Sequence, residues 1–257
     1  MIGKKKILEI NLDKGKVEKL DLVAVDRLVN IFINGVHFVT LTASPNNVRE
    51  LALGHLFGHG IVDNLKDIDG ISNKGKNVYL KLKREIHFES PGTTNIVPTA
   101  CGASGDVIRL LDKLNLPKSN FSVKFRAITI FKALRSLFSL SNVFRKTGGT
   151  HAAALYTRGG VSKLYMEDVG RHNAVDKVIG GGLIHGLQFK NSFLASTGRL
   201  SADIAVKCAR AGIPLIASKA APLQSGILAA ELSRLTLIGF IRGRRLNVYT
   251  NPMRVEF

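Results

Sequence analysis

Apolar and polar residues alternate in the first third of the chain, which is typical of β-strands. Residues 27–41 (RLVNIFINGVHFVTL) alternate on both sides of Asn34-Gly35, a dipeptide that readily adopts the positive φ angles of a tight hairpin turn. The pattern predicts two antiparallel strands joined at this turn. Residues 68–89 are also strand-like, and residues 90–100 have the proline, glycine and threonine of a loop.

Three segments have helical spacing instead. Ser44 is placed to cap, and Pro45 to open, a helix that ends at glycines from Gly58 onward. A second helix is predicted to start at Asp106, and a third covers residues 127–141.

Short apolar strands alternate with helices in the second half of the chain. The predicted elements are strands at 151–157 and 161–167, a helix at 171–179, a strand at 192–196, a helix at 204–212, and strands at 214–218 and 237–240. This order implies a parallel sheet covered by helices. We therefore predict an α/β protein with an N-terminal α+β part at 1–120 and an α/β domain at 121–257.

The composition is that of a globular protein: 257 residues, 45% hydrophobic and 22% charged. No apolar stretch reaches the roughly 20 residues that span a bilayer, and the charged start MIGKKKILEI is unlike a signal peptide, so we expect a cytoplasmic protein with no membrane segment. The two cysteines, Cys101 and Cys208, lie far apart, which favours a working thiol over a disulfide framework.

The charge is strongly positive, with 37 Lys and Arg against 19 Asp and Glu and a net charge of +18. Such an excess favours an anionic partner, whether nucleic acid, a phosphorylated cofactor or an acidic protein surface. The basic residues are scattered, Trp is absent and aromatic residues make up 7%. Platforms for base stacking are therefore scarce, and nucleic-acid binding is not favoured.

Cys101 is the first candidate for chemistry. It lies in ACGASG, where glycines leave the sulfur approachable, and the start of the predicted helix just downstream would lower the pKa of its thiol. We favour a reactive thiol here over a buried one. Cys208 lies in the helical IAVKCARAG, where core packing is favoured.

Other catalytic chemistry with Cys101 stays open. A cysteine protease or acyl transferase needs a histidine beside the thiol, and His151 or His172 could be brought there by folding. Structural zinc needs three or four ligands, and the chain has no C-x-x-C pair, so no metal site is predicted.

Several polar segments have the composition of anion-binding turns. TGGTH and STGRLSAD combine glycine with small hydroxyl residues, GRHNAVDK crowds polar groups at a helix start, and FIRGRR places three arginines around a glycine. Their candidate residues are 147–151, 196–203 with Arg199, Arg171 with His172, Asn173 and Asp176, and 240–245. Such turns bind phosphate through backbone N–H groups and forked guanidinium groups. Capped turns and solvated edge charges are the alternative interpretation.

The motifs resemble one family when taken in order. TACGASG, FRKTGGTHAAAL, EDVGRHNAVDKVIGGG, STGRLSADIAVKCARAGIPLIASKAAP and LTLIGFIRGRRLNVYTNP are similar to segments of the FdhD (NarQ) family from about residue 26 to the C-terminus. The resemblance implies a sulfurtransferase of low turnover. Such a protein takes sulfur from a cysteine desulfurase, passes it to the bis(molybdopterin guanine dinucleotide) molybdenum cofactor as cargo, and so serves the formate dehydrogenase catalytic subunit. Homodimers are also implied.

The resemblance assigns roles to particular residues. It implies that the persulfide forms on Cys101, and that the segment containing Phe240, Ile241, Arg242, Gly243, Arg244 and Arg245 contacts the cofactor. The family commonly has C-G-x-C, whereas this chain has Ser104 at the second cysteine. Sulfur exchange between two neighbouring thiols is therefore excluded, while a single persulfide remains chemically adequate.

The resemblance also implies a cytidine deaminase-like core of three layers with a mixed sheet. Deaminases have H-x-E on one helix and P-C-x-x-C at the start of the next. Here His172 is followed by Ala174 at the glutamate position, and GRLSAD has no cysteine pair. Deamination therefore lacks its metal and its base, which leaves the pocket free for a guanine nucleotide.

Three hypotheses follow. The first is a sulfur carrier that uses Cys101. The second is a cofactor-binding chaperone without sulfur chemistry, which Ser104 keeps open. The third is a basic RNA-binding protein.

Overall fold

A computed structural model of the protein describes residues 1–84, 111, 113–120 and 122–257. Cys101, the predicted loop at 90–100 and the start of the helix predicted from Asp106 lie outside the described residues. The described chain opens with a hairpin of β1 (Ile2–Asn11) and β2 (Gly15–Ala24). Its strands pair without a break from Ile2 opposite Ala24 to Asn11 opposite Gly15.

The second hairpin confirms the alternation in residues 27–41. β3 (Arg27–Ile33) and β4 (Val36–Ala43) pair antiparallel around Asn34 and Gly35, whose φ angles are 48° and 85°. They join β5 (Ile68–Lys74) and β6 (Asn77–Leu82) in a sheet of order β4-β3-β6-β5.

The helix after β4 begins later than predicted. α1 covers Val48–Gly58 and is preceded by Asn47 in the left-handed region. The predicted capping role of Ser44 is wrong. Its hydroxyl accepts a hydrogen bond from the backbone N–H of Val169, and its own N–H donates to Asp168. A contact 125 residues away in sequence therefore replaces the local cap.

A six-stranded mixed sheet forms the centre of the second half. Its strands are β8 (His151–Thr157), β9 (Ser162–Asp168), β10 (Ser192–Ser196), β11 (Leu215–Ser218), β12 (Thr236–Arg242) and β13 (Arg245–Val248). Their order is β13-β12-β11-β10-β8-β9, with β10, β11 and β12 parallel and the outer pairs antiparallel. A small parallel pair, β7 (Phe125–Arg126) and β14 (Val255–Glu256), completes the strands of the described residues.

Helices cover both faces of this sheet. They are α2 (Ala127–Leu140), α3 (Asn142–Thr147), α4 (Arg171–Ile184), α5 (Ala202–Arg210) and α6 (Gln224–Leu232). Ala154 and Phe193 share one buried cluster with α2, whereas Leu155 and Leu194 share the other cluster with α4, α5 and α6. Neighbouring strand residues thus pack on opposite faces. The mixed α/β fold is confirmed, while the cytidine deaminase-like core and the division after residue 120 stay predictions.

Two glycines let α1 and α4 approach each other closely. A Cβ atom on Gly54 would lie 1.8 Å from the carbonyl oxygen of Asp176, and one on Gly180 would lie 1.9 Å from that of Glu50. Any larger side chain would separate the helices. The contact also extends the core to β3 and β6, whose buried residues belong to the same cluster as those of α4.

Candidate anion-binding site

The carboxyl ends of the three parallel strands lie at one edge of the sheet, where open α/β sheets commonly bind ligands. β10 ends at Ser196, β11 at Ser218 and β12 at Arg242. Hydrogen bonds join the loops that follow: the Leu200 N–H donates to the Ala221 carbonyl at 3.1 Å, and the Leu223 N–H donates to the Leu200 carbonyl at 2.9 Å. The loops therefore form one continuous rim, which we call the carboxyl edge.

The segment 240–245 lies at this edge. The Phe240 N–H donates to the Ala220 carbonyl at 3.1 Å, and Phe240 itself has a φ of 50°. The pairing of β12 with β13 shifts register between Gly239 and Arg242. The bulge leaves Arg242 exposed over the Phe240 ring, with its guanidinium carbon 5.7 Å from the ring centroid.

The arginines of this hairpin face solvent, but one neighbour does not. Arg244 and Arg245 are exposed on either side of the tight turn, whereas Ile241 is buried in the core beneath α2. In the described part of the chain none of Arg242, Arg244 and Arg245 has a carboxylate within ion-pair distance. The hairpin therefore holds three positive charges that are free to meet an anion.

Arg171 and Arg199 add two more positive charges to the carboxyl edge. Arg171 is the first residue of α4, and its side chain lies over Gly198, where a Cβ atom would be 2.6 Å from that of Arg171. Burial and the positive charge of Arg199 lower the pKa of Arg171. The Arg171 Nε atom is buried without a hydrogen-bond partner.

Two histidines line the same region, and burial lowers the pKa of each. His151 Nδ1 is 3.3 Å from the Thr197 hydroxyl, and burial together with Arg171 lowers the pKa of His151. His172 Nε2 is 3.2 Å from the Ser201 hydroxyl, and burial lowers the pKa of His172 to about 4. Because Cys101 lies outside the described residues, its distance to either histidine stays open, and so does the protease-like alternative.

Beneath this edge lies a buried ionic cluster that the sequence analysis missed. Lys207 Nζ on α5 is 2.8 Å from Asp176 and 3.2 Å from Asp203, and His55 Nδ1 on α1 is 3.3 Å from Asp176. Burial alone would raise the pKa of Asp176, but Lys207 and His55 outweigh it and bring that pKa to about 2. The spacing of Asp203 and Lys207, four residues apart on one helix, was the available signal.

A second buried ion pair fixes the turn into α4. Lys177 Nζ is 2.6 Å from Asp168 at the end of β9, and it donates to the Ser44 carbonyl at 3.1 Å. Asp168 also accepts from the Ser44 N–H. The pair therefore ties β4, β9 and α4 together and sets the position of Arg171.

The loop at 147–151 satisfies its own polar groups. The Thr147 hydroxyl donates to the Val143 carbonyl at 2.8 Å, and the Thr150 hydroxyl donates to Glu167 at 3.2 Å. These contacts favour the capped-turn interpretation for this loop. In the loop at 196–203, by contrast, Arg199 is exposed and has no hydrogen bond to other described residues.

The two cysteines have different outcomes. Cys208 is fully buried in the core, and burial raises the pKa of its thiol, which confirms the packing interpretation. The reactive thiol at Cys101 stays a prediction, because this residue lies outside the described ranges.

Among the described residues no cluster of three or more His, Cys, Asp or Glu side chains is arranged to hold a metal ion. No helix in the described ranges has the length and apolarity to cross a membrane.

The described residues thus define a mixed α/β protein whose parallel strands end at a strongly basic edge. The chain belongs to the FdhD/NarQ family, whose sequence profile matches residues 24–256. It is 39% identical to the sulfur carrier protein FdhD of Methanothermobacter thermautotrophicus over 91% of both chains. It is 36% identical to that of Sulfolobus acidocaldarius over 99% of both chains.

A solved structure shares the fold. The crystal structure from Desulfotalea psychrophila, described as a formate dehydrogenase accessory protein, superposes with a TM-score of 0.82. It is 27% identical in sequence, and the alignment covers 99% of each chain. The N-terminal hairpin lies almost wholly before the residues that the family profile matches.

Proposed function

We propose that this protein is a cytoplasmic sulfur carrier for formate dehydrogenase maturation. The Cys101 thiolate attacks the outer sulfur of a persulfide on a cysteine desulfurase. The new S–S bond forms on Cys101, the donor's S–S bond breaks, and the donor cysteine leaves as a thiolate, so this step has no net redox change.

Delivery follows at the molybdenum ion of the cargo, the bis(molybdopterin guanine dinucleotide) cofactor. The outer sulfur leaves Cys101 as the S–S bond breaks, and Cys101 returns to a thiolate. The two electrons that convert this sulfur to sulfide come from the metal of the cargo. The loaded cofactor is then inserted into the catalytic subunit of formate dehydrogenase.

The basic carboxyl edge is the observation that carries the proposal. The arginines at 171, 199, 242, 244 and 245 gather at the ends of the parallel strands, and none has a carboxylate within ion-pair distance in the described part of the chain. Forked guanidinium groups match phosphate oxygens well. The cargo carries pyrophosphate groups, so this edge suits it. The names of the relatives support sulfur transfer as the chemistry.

The partners follow from the same proposal. They are the cysteine desulfurase, the catalytic subunit of formate dehydrogenase and a second copy of this chain in a homodimer. Each delivery empties one loaded protein, so turnover is low. Because Ser104 replaces the second cysteine of the family pattern, loading and delivery both take place at Cys101.

Intact mass spectrometry tests the chemistry. After incubation with a cysteine desulfurase and cysteine, the protein is expected to gain one sulfur atom, and Cys101→Ala is expected to gain none. Cys208→Ala is the matched control, because its buried thiol has a raised pKa and should not load. An adduct that persists in Cys101→Ala, or that is lost only in Cys208→Ala, would contradict the proposal.

A cofactor-binding chaperone without sulfur chemistry is the second candidate, and Ser104 is the observation that favours it. This function predicts that Cys101→Ala still supports formate dehydrogenase maturation in cells that lack the native protein. The sulfur-carrier proposal predicts that maturation is lost while cofactor binding is retained. The two readouts together separate the candidates.

A further inference from the structure

We propose that Arg171 and Arg199 form a phosphate subsite of their own, distinct from the arginine hairpin at 240–245. The assignment of the phosphate to a guanine dinucleotide rests on the proposed function. The subsite itself rests on the charges, burial and hydrogen bonding of these two residues, which are independent of any chemistry at Cys101.

The first argument is electrostatic. Burial and the charge of Arg199 both disfavour the charged form of Arg171, and the only described acid that acts in the opposite direction is Asp203. That carboxylate is already engaged, because Lys207 Nζ lies 3.2 Å from it. Two like charges at a partly desolvated site are costly, and an anion placed between them would reverse the sign of the interaction.

The second argument is hydrogen bonding. Buried polar atoms in folded proteins nearly always have a partner, yet the Nε atom of Arg171 has none. Neither arginine side chain has a hydrogen bond or an ion pair with any residue in the described ranges. A phosphate oxygen would supply the missing acceptor and would engage the rest of the guanidinium fork.

The third argument is preorganisation. Gly198 lies directly under the Arg171 side chain, whose Cγ and Cδ atoms are 3.3 and 3.1 Å from the position of a Cβ atom there. Gly198 is held in turn, since its N–H donates to the Ser196 hydroxyl and its carbonyl accepts from the Ser218 hydroxyl at 2.7 Å. The arginine is thus seated on a fixed turn rather than on a free surface.

The position along the edge separates this subsite from the hairpin. Arg199 follows β10 and Arg242 ends β12, with β11 between them. Neighbouring strands are about 4.8 Å apart, so the strand ends that carry Arg199 and Arg242 are on the order of 10 Å apart. Arg199 therefore lies on one side of β11 and the arginine hairpin on the other.

Isothermal titration calorimetry on the full chain tests the subsite. The probes are inorganic pyrophosphate, GDP and guanosine at low salt. The double variant Arg171→Gln/Arg199→Gln is expected to bind pyrophosphate and GDP about 10- to 100-fold more weakly than the wild type. Both ligands lose charge-assisted hydrogen bonds to the two guanidinium groups. Guanosine, which has no phosphate, should bind wild type and variant alike.

Three further variants separate a built site from diffuse charge and from a folding defect. Arg158→Gln removes the same charge from an exposed position in the β8–β9 turn at the opposite edge of the sheet. It should change binding by less than about twofold. Gly198→Ala keeps every charge but displaces Arg171, and it should weaken pyrophosphate binding. Arg199→Gln alone, at an exposed position, provides a variant whose folding is not in question, and the melting temperature checks the others.

Several outcomes would overturn the proposal. They are no pyrophosphate binding by the wild type, binding by the double variant within about threefold of the wild type, or an equal loss in Arg158→Gln. Sulfur loading of Cys101, measured on the same samples, reports separately on the proposed function. If Cys101 failed to load while the pyrophosphate results were as expected, the sulfur-carrier function would be contradicted and the phosphate subsite would be supported.

Discussion

Buried lysines and edge arginines in this protein have opposite surroundings. Lys177 and Lys207 are at most 1% exposed, and each lies within 3.3 Å of at least one carboxylate. Arg171, six residues before Lys177 on the same helix, is partly buried and has no such partner among the described residues. The two lysines are neutralised by carboxylates of the protein itself. Arg171 and Arg199 have no described carboxylate partner, so an external anion is the partner that we propose for them.

This difference indicates a structural role for the buried lysines and a functional role for the edge arginines. A buried charge is tolerated when the fold supplies its partner, so its role is to hold elements together. A partly desolvated charge without a partner costs stability, and folds retain such costs mostly at functional sites. The same comparison gives different expectations for substitutions in the two regions.

The largest effect is expected inside the ionic cluster. Lys207→Met leaves Asp176 buried without its main partner, and removing one member of a buried pair commonly costs about 3–5 kcal/mol. Urea unfolding at neutral pH measures the free energy of unfolding. Lys190→Met, at an exposed position, is the control and should stay within about 0.5 kcal/mol. A loss below about 1 kcal/mol in Lys207→Met would show that the cluster is not held by this lysine.

The next effect concerns the contact that brings His55 and Asp176 together. In Gly54→Ala the new Cβ atom would meet the Asp176 carbonyl at 1.8 Å, so α1 must shift away from α4. We expect a loss of about 2–3 kcal/mol, near the upper end for overpacked sites. Gly70→Ala is the matched control, since no atom lies within 4 Å of its Cβ position. Equal thermal unfolding of the two variants would contradict the close approach.

The third effect is a pH dependence of the free energy of unfolding, caused by two histidines beside the ionic cluster. Burial lowers the pKa values of His59 and His172 from 6.5 to about 4. Between these values the unfolded chain binds more protons than the folded protein, so stability is fully present above about pH 6.5 and falls as the pH drops towards 4. Each histidine should contribute on the order of 1–3 kcal/mol to this loss.

Urea unfolding from pH 7 to pH 4 checks this expectation. His59→Gln with His172→Gln should flatten the profile in that range, whereas His37→Gln, at an exposed position, should leave it unchanged. A separate loss is expected at lower pH, because the pKa of Asp176 is about 2 in the folded protein against an ordinary 3.8. That loss should survive in the histidine variants. If the free energy of unfolding of the double variant depended on pH between 6.5 and 4 as steeply as that of the wild type, these histidines would not be the groups that titrate.

Local signals in the sequence predicted much of the fold. Alternation around Asn34 and Gly35 gave the correct hairpin, and the strand at 192–196 has its predicted bounds. The helix predicted at 171–179 extends to Ile184 because Gly180, Gly181 and Gly182 continue it. Glycines commonly end helices, but here they allow close packing against Glu50, Leu164 and Phe189.

The interior charges could not be predicted in the same way. Lys207 lies in a segment that reads as an ordinary amphipathic helix, and its partner Asp176 comes from another helix. Ser44 likewise has the local pattern of a cap, but its hydroxyl instead accepts a hydrogen bond from the N–H of Val169, 125 positions away. The arginine segment at 240–245 could be named in advance because its composition is itself the signal. Arg171 and Arg199 were also candidates from the composition of their segments, but only the fold shows that no described carboxylate pairs with them.

The smallest effect is expected at the arginines, and it tests the comparison most directly. Without a bound anion, Arg171→Gln and Arg199→Gln remove a repulsion and break no ion pair in the described part of the chain. The free energy of unfolding should therefore stay within about 1 kcal/mol of the wild type. Urea unfolding in a buffer free of sulfate and phosphate makes the measurement.

With pyrophosphate at about 100 times its dissociation constant, the wild type should gain about 2.7 kcal/mol by linkage, and the variants should gain much less at the same concentration. A loss as large as that of Lys207→Met in the anion-free buffer would mean that these arginines hold the fold together, and the distinction between the two regions would fail.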